Sequence, residues 1–370
     1  MEQEKNKNEL SQPIPLEMPS VAGWKEVPLK ENTEPLVPIG SFVGNNFDRI
    51  FTSSIYYGER QDSPYGRESL EGSLVTTFAR KEVAEQLLDA DSSLPLGMHI
   101  IVYDSYRSLE VQQSLYDQYL NALKKEHSDW TEEQLSTETQ KFVSIPSTNP
   151  DRPSPHNTGG SIDVAVYKLP DGVESRVTEI NNRVAEIGGD TKNAQEVYEL
   201  EMERIGLIAK HAELLDFGTL WDWGGPEAAL NYYEVLAQQR ELNPKEQTAK
   251  DNRRLLYNVM INAGFEPYAD EWWHYNSKKS QMGAKTAGLV TAEYGAAQLS
   301  DENRKIEEIR RLHLQGSEIL SKLQGDLMDK FGRQPGWFEV AVKAAKEMGD
   351  PTVTTLPRAA KIQPPEEKAA

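Results

Sequence analysis

Not one of the 370 residues is a cysteine. Disulfide bonds and thiolate metal ligands are therefore excluded, and any metal site must use histidine, aspartate or glutamate. The length suits one large domain with additions, or two domains. The chain has only six histidines, so only a few short segments can contribute histidine ligands to a metal site.

The formal net charge is −19, which argues against the phosphate-neutralising surface of a nucleic-acid-binding protein. It disfavours an anionic membrane surface for the same reason. No stretch of about 18 apolar residues occurs, which excludes a membrane-spanning helix and membrane insertion. The polar start lacks the apolar core of a secretory signal. We therefore expect a cytoplasmic protein as written, or a periplasmic one if a signal peptide was removed before this numbering.

Composition divides the chain into four parts. Residues 1–40 carry six prolines and predict an extended N-terminal arm. A globular pattern over 41–300 follows, with two helical stretches at about 173–214 that indicate an insertion. Amphipathic spacing predicts a C-terminal helical extension over 301–350, which is a packing element or a homo-oligomer contact. The tail over 351–370 has the composition of a disordered segment.

Several regular elements can be predicted from periodicity. The apolar run at 99–106 indicates a strand, and a helical face follows at 108–123 with Ser108 as its N-cap. Alternating apolar residues after Ser161 indicate a half-buried strand. A helix over 255–265 is expected to end at Gly264. By themselves these elements show a mixture of helices and strands.

Two histidines have neighbours that suggest metal chemistry. His156 precedes Asp163 in the run HNTGGSID, and His274 closes EWWH, three residues after Glu271. Two histidines and one carboxylate leave positions on a zinc ion open for water and substrate, as catalytic zinc sites require. A tight turn at the glycines could let His156 fold back towards Asp163.

The EWWH spacing carries a structural condition. Positions three apart in a regular strand point to opposite faces. Glu271 and His274 can therefore converge only through a bulge or a turn at Trp272 and Trp273.

Four segments together resemble the D-alanyl-D-alanine dipeptidases, the group that contains the vancomycin-resistance dipeptidase, within a wider family of zinc D,D-carboxypeptidases. They are SPHNTGGSID (154–163), DEWWHY (270–275), YDSYRS (103–108) and FGTLWD (217–222). The resemblance implies an α+β fold. A small antiparallel sheet would carry the zinc site, with helices around it, a helical insertion and C-terminal helices.

The resemblance also implies how a metal is held and used. His156, Asp163 and His274 would bind one Zn²⁺ per chain. Glu271 would take a proton from the zinc-bound water and return it to the leaving amine.

Three further residues would handle the substrate, a small dipeptide such as D-Ala-D-Ala. Arg107 would stabilise the oxyanion that forms as water attacks the peptide carbonyl. Asp222 would bind the free amino group, and Ser154 would help to hold the carboxylate. Recognition of both ends would limit the length of the substrate.

The sequence departs from the family at three places. Where the family has a tyrosine near an asparagine–phenylalanine pair, Ser41 or Phe42 stands here, and loss of the hydroxyl would weaken amine binding. Trp221 replaces the usual phenylalanine. The stretch from Asp163 to Glu271 is longer than is typical.

Other interpretations remain open for these residues and for the whole chain. Arg107 could form an ordinary ion pair at the start of a helix, and Asp222 and Ser154 could be turn residues. The enzyme could instead be a D,D-carboxypeptidase acting on peptidoglycan stem peptides. The zinc site could also support a non-catalytic binding module, although such a site needs neither Glu271 nor Arg107. The remaining histidines are interpreted as structural or surface residues: His99, His127, His211 and His313.

Overall fold

The computed structural model describes residues 9–41, 43–54, 56–57, 70–139, 143, 145–188 and 193–311. The strands are β1 (Leu36–Ile39), β2 (Phe51–Thr52), β3 (Thr77–Arg80), β4 (Met98–Asp104), β5 (Ser161–Lys168), β6 (Glu213–Leu214), β7 (Phe265–Pro267) and β8 (His274–Ser277). The helices are α1 (Lys81–Ser93), α2 (Leu109–Glu126), α3 (Glu132–Thr139), α4 (Asp171–Ile187), α5 (Ala194–His211), α6 (Tyr232–Gln239), α7 (Pro244–Asn262), α8 (Gln281–Thr286) and α9 (301–311). The α+β fold class is confirmed.

The main sheet has the strand order β2–β4–β5–β8–β7, with β6 paired to the far end of β5. The pair β2–β4 is parallel and the other pairs are antiparallel. A separate antiparallel pair joins β1 to β3. The predicted antiparallel sheet is therefore present, with one parallel edge strand added.

Strand β5 is more deeply buried than its alternation indicates. The prediction was a half-buried strand, but every residue except Lys168 is buried. Val164 and Val166 belong to the main core, and so do Ala165 and Tyr167 on the opposite face. The half-buried prediction is wrong because small or aromatic side chains on the second face are covered as well.

Two predicted helices are present, and each has one end where the sequence predicts it. Helix α2 begins after Ser108, whose hydroxyl accepts a hydrogen bond from the amide of Val111 as an N-cap does. Helix α7 ends before Gly264, which has a φ of 98°. It begins well before the predicted start, since Asn243 forms a capping box ahead of a proline. Those first turns are polar and carry little apolar periodicity.

The predicted arm is largely irregular but is not separate from the folded unit. Leu10 and Ile14 are buried in the main core. Leu36–Ile39 forms strand β1, so the last part of the predicted arm is a strand of the two-stranded sheet. The apolar residues of the predicted extended arm over 1–40 therefore pack against the rest of the chain, and its last residues belong to a sheet.

The insertion and the C-terminal extension are helical where the structure describes them. The apolar face of α4 is buried, as its spacing predicts, and packs against α5. Helix α9 buries Asn303, Glu307 and Arg310 along one side. The rest of the predicted extension, including His313, and the tail lie outside the described residues. No helix among the described residues is long and apolar enough to cross a bilayer.

His99 links the insertion to the main sheet. Its Nδ1 lies 3.3 Å from Asp91 of α1, and its Nε2 lies 2.7 Å from Glu174 of α4. Burial opposes protonation of this imidazole, but the two carboxylates raise its pKa to about 9. The charged side chain of His99 therefore joins β4 to α1 and α4. This agrees with its interpretation as a structural residue.

We expect the ion pairs of His99 to make the free energy of unfolding depend on pH. The folded-state pKa lies above the ordinary histidine value of 6.5, so the stabilisation is complete below pH 6.5 and is lost as the pH rises through about 9. The loss amounts to about 3 kcal/mol. Urea unfolding between pH 6 and pH 10 measures it, and His99→Gln, which keeps a polar side chain but does not titrate, should flatten this part of the profile. A His99→Gln protein with the wild-type profile would contradict the prediction.

Candidate metal and catalytic site

The sheet register brings the three predicted ligands together. Asp163 of β5 lies directly opposite His274 of β8, and His156 occupies the short turn before β5. The Nδ1 of His274 lies 3.0 Å from Asp163 Oδ1 and 3.2 Å from His156 Nε2, while the last pair, His156 Nε2 and Asp163 Oδ1, is 3.4 Å apart. The three side chains are buried and form a group that could hold a metal ion.

The surrounding hydrogen bonds set the orientation of both imidazoles. The Nδ1 of His156 lies 2.9 Å from the carbonyl of Ser105, which can only accept, so Nδ1 carries the proton and Nε2 turns its lone pair towards the group. The Nε2 of His274 lies 3.1 Å from Asn276 Oδ1, which leaves Nδ1 free in the same way. Outer partners of this kind orient metal-binding histidines.

The donor set fits a zinc ion. Ligand atoms about 2.1 Å from a tetrahedral zinc ion lie roughly 3.4 Å from one another, close to the distances between these three atoms. Burial by itself would raise the pKa of Asp163, but His156 and His274 hold that pKa well below its ordinary value. The cluster therefore offers one anionic oxygen donor and two imidazole nitrogens, which leaves a position on a tetrahedral ion for water or substrate.

The turn required by the EWWH spacing is present. Trp272 and Trp273 form a turn immediately before β8, and the amide of His274 lies 3.4 Å from the carbonyl of Glu271. The turn is fixed from both sides, because the Trp272 amide donates to Ala228 and the Trp273 carbonyl accepts from Val164. Glu271 Oε2 consequently lies 3.8 Å from His274 Nδ1. Both tryptophans are core residues, each 2% exposed.

Glu271 has the environment of a proton carrier. Its side chain lies along an open cleft and keeps 37% of its surface exposed. Burial raises the pKa of Glu271 to about 7, and the negative charges of Asp163 and Asp222 add to the effect against His274 and Arg107. A carboxyl group with a pKa near neutrality can both accept and return a proton.

Arg107 is fixed beside the ligands by several contacts. Its amide donates to the carbonyl of His156 at 3.1 Å, and its guanidinium bonds Asp104 and Gln112, each at 2.9 Å. The guanidinium also lies over the ring of Tyr56, 5.0 Å from its centroid. Burial opposes the charge, yet Asp104 and its neighbours raise the pKa of Arg107 well above its ordinary value. Arg107 thus makes the ion pair of the alternative interpretation and also places a permanent positive charge at the site.

Asp222 lies in the loop that precedes α6. Its φ is 59°, in the left-handed region that aspartate tolerates better than most residues. The loop around it is held by Arg253, whose guanidinium donates to the carbonyls of Phe217, Ala229 and Glu227. Together with Glu271, Asp222 lines a cleft of about 930 Å³.

Much of the remaining lining of this cleft is apolar. It includes Leu115 and Tyr119 of α2 and also Trp223, which is 49% exposed. The cleft therefore combines acidic with apolar lining residues.

Ser154 is half-buried, two residues before His156. Its carbonyl accepts a hydrogen bond from the amide of Asn157 at 3.1 Å. This contact belongs to the turn that presents His156, as the turn-residue interpretation expects. Binding of a substrate carboxylate by its hydroxyl stays a prediction.

The structure describes two of the positions at which the chain departs from the family, Ser41 and Trp221. Phe42 lies outside the described residues. Ser41 is buried, and its hydroxyl donates to the carbonyl of Ile39 at 2.9 Å. Trp221 is buried against the rings of Tyr56 and Tyr103, at 6.1 and 5.9 Å between centroids. The bulkier Trp221 therefore fills space behind the site.

Sequence reasoning missed the residues that support the ligands. Asn276 lies two positions after His274, and this spacing on one face of a strand was an available signal. Asp104 lies inside the segment that identified Arg107. Tyr56 had no signal at all, since its contact with Arg107 joins positions 51 residues apart in sequence.

Comparisons with known proteins agree with this geometry. Residues 211–289, which include Asp222, Glu271 and His274, match the model of the peptidase M15 family, described as D-ala-D-ala dipeptidase. The resemblance is confirmed. A D-alanyl-D-alanine dipeptidase of a Synechocystis strain is 24% identical over 265 residues, which cover 68% of this chain and 84% of that protein. The comparisons indicate a peptidase, and the ligand set is that of a metallopeptidase.

A solved structure gives a weaker likeness. It is the vancomycin-resistance D,D-pentapeptidase VanY from a VanB-type cassette, a glutamate-to-alanine mutant in complex with Zn(II). The identity is 18%, the match covers 65% of this chain and 96% of that chain, and the TM-score is 0.25. A score this low adds nothing to what the sheet and the site already show.

Proposed function

We propose that the chain hydrolyses D-Ala-D-Ala, or a similar small dipeptide, with a zinc ion held by His156, Asp163 and His274. The observation that carries the proposal is the position of Glu271. Its carboxylate lies 3.8 Å from a ligand nitrogen, at the edge of a cleft that a substrate can enter. A purely structural metal site needs no such carboxylate.

Each residue of the site has a role in this reaction. Bound zinc would polarise the peptide carbonyl and make a water molecule more acidic. Glu271 takes the proton from the attacking water and returns it to the leaving amine. Arg107 stabilises the negative charge that develops on the carbonyl oxygen, and Asp104 and Gln112 keep its guanidinium in place.

The ends of the dipeptide would be recognised on two sides of the site. The carboxylate of Asp222 accepts hydrogen bonds from the free ammonium group. The other acidic residues that line the cleft support this role. Ser154 holds the carboxylate beside the turn that carries His156. Because a bound ammonium group has to reach Asp222, an acyl group on the amine removes this interaction and fills its place.

One observation favours a second candidate, a D,D-carboxypeptidase that acts on peptidoglycan stem peptides. The cleft beside Glu271 measures about 930 Å³. Pockets of about 300–1,000 Å³ accept drug-sized ligands, so this one has more room than two alanines need. A longer peptide would contact the apolar lining residues of α2, Leu115 and Tyr119.

An amino-acid release assay separates the two candidates. Zinc-loaded protein is compared on D-Ala-D-Ala, L-Ala-L-Ala and acyl-D-Ala-D-Ala. We expect release from D-Ala-D-Ala alone, lost with a chelator and restored by zinc. Cleavage of the acylated substrate would move the protein to the carboxypeptidases, and no release from any of the three, with zinc bound, would contradict both.

Asp222→Asn tests the recognition of the amine. We expect KM for D-Ala-D-Ala to rise about tenfold or more, since a charge-assisted hydrogen bond contributes about 1.5–3 kcal/mol. Asp216→Asn, on the same loop outside the cleft, is the control. An unchanged KM in Asp222→Asn would remove Asp222 from the substrate site.

A further inference from the structure

Helix α9 holds a loop of the catalytic unit through a buried carboxylate. Glu307 is 6% exposed, and its two oxygens accept hydrogen bonds from the amides of Val75 and Thr76, each at 2.9 Å. Arg311, one turn later, bonds Glu307 and the carbonyl of Ser73. The helix therefore fixes the loop over 70–76, although Glu307 lies 231 residues after Thr76 in the sequence.

The loop over 70–76 in turn fixes the segment that carries Tyr56. The amide of Leu70 donates to the carbonyl of Tyr56 at 3.0 Å, and the hydroxyl of Ser54 donates to the carbonyl of Leu74. Arg311 adds a second tie, since its guanidinium lies 5.1 Å from the ring centroid of Tyr57. Displacement of this loop would displace Tyr56.

Tyr56 is the last member of this series of contacts. Its ring lies 5.0 Å from the guanidinium of Arg107, a distance at which a cation and an aromatic face attract each other. Thr76, Tyr56, Asp104 and Arg107 also line one small cavity. The hydrogen bonds to Asp104 fix one edge of the guanidinium, and the ring of Tyr56 fixes its plane.

We propose that Glu307 is a positioning residue for Arg107: it holds the loop over 70–76 in place, and that loop holds the ring of Tyr56 against the guanidinium. The inference rests on the proposed function, because it takes Arg107 as the residue that stabilises the oxyanion. Helix α9 is thereby part of the catalytic unit.

The carboxylate is the chemical feature that matters. Two amide donors require two acceptor oxygens, and glutamine supplies one oxygen and one amino group. Glu307→Gln therefore leaves one buried amide facing another donor, an unsatisfied arrangement that is costly away from water. Glu308 is exposed on the same helix, so Glu308→Gln is a control with the same chemical change.

The first measurement is amide hydrogen exchange on the full chain. Glu307→Gln should exchange the amides of Val75, Thr76 and Leu70 about tenfold faster than the wild type, because each loses a hydrogen bond or the order that maintains it. Glu308→Gln should leave them unchanged. Unaltered exchange at these amides in Glu307→Gln would overturn the inference whatever the activity shows.

The second measurement is a kinetic cycle with Arg107→Lys. We expect Glu307→Gln to lower kcat for D-Ala-D-Ala about tenfold with little change in KM, since misplacement of a catalytic group affects the transition state more than binding. In the Arg107→Lys background the same substitution should have almost no effect.

The outcomes of the cycle are distinct. An equal loss of kcat in both backgrounds would show a general structural effect and overturn the inference, as would an unchanged kcat in Glu307→Gln. A wild type that hydrolyses no peptide would overturn the proposed function, and the inference with it.

Discussion

Replacement of Glu271 by glutamine should lower kcat for D-Ala-D-Ala by about 10³-fold, because general acid–base catalysis contributes about 10²–10⁴-fold and glutamine cannot accept the proton. The substitution keeps the volume of the side chain, so the cleft and the turn at Trp272 stay intact. His156, Asp163 and His274 are unchanged, and the protein should still bind one zinc ion. Turnover and metal content are measured on the same sample.

The neighbouring carboxylate provides the control for Glu271. Asp270 is exposed and lines the same cleft, so Asp270→Asn changes the charge of the cleft without touching the ligand group. We expect it to keep most of the activity. Wild-type turnover in Glu271→Gln would exclude Glu271 as the general base, and loss of zinc from that variant would mean that the carboxylate supports the metal instead.

Each half of the metal site was predictable because its information is local, whereas the two halves lie 111 residues apart and meet through the pairing of β5 with β8. His156 and Asp163 are separated by a glycine turn and the start of one strand, and Glu271 and His274 by a single turn. Short spacings of this kind restrict which side chains can meet. The EWWH spacing also required a turn at Trp272 and Trp273, and the structure has that turn.

The surroundings of the site were not predictable, because they depend on contacts between distant segments. Arg107 meets Tyr56 through a loop that is itself held by Glu307. Neither the hydrophobic pattern nor the family motifs contain such a contact. The burial of both faces of β5 is of the same kind, since the covering elements come from other parts of the chain.

The buried charges between the insertion and the C-terminal helix show how strongly these additions are joined. Glu201 of α5 pairs with Arg310 of α9, and both side chains are at most 10% exposed. Arg310 also donates to the carbonyl of Ser41. Arg204 lies nearby, fully buried, and burial lowers its pKa to about 10. Glu201 is thus the ion-pair partner of Arg310, and with the buried Asp48 it also favours the charge of Arg204.

Glu201→Gln should therefore destabilise the protein by about 3–5 kcal/mol, the cost of removing one partner from a buried ion pair. The control is Glu203→Gln on the same helix. Glu203 pairs with Arg176 at the surface, where both side chains are more than 40% exposed, and exposed pairs contribute about 0–1 kcal/mol. Urea unfolding at neutral pH compares the two variants.

A second substitution decides whether charge is the cause. Arg310→Met in the Glu201→Gln background replaces the arginine that has lost its ion-pair partner by a long apolar side chain. It should restore part of the lost stability, although each single change is destabilising. A double variant less stable than Glu201→Gln would mean that Arg310 acts mainly through Ser41. Equal losses in Glu201→Gln and Glu203→Gln would show that the pair with Arg310 is solvated, and that α9 is held to the insertion by its other contacts.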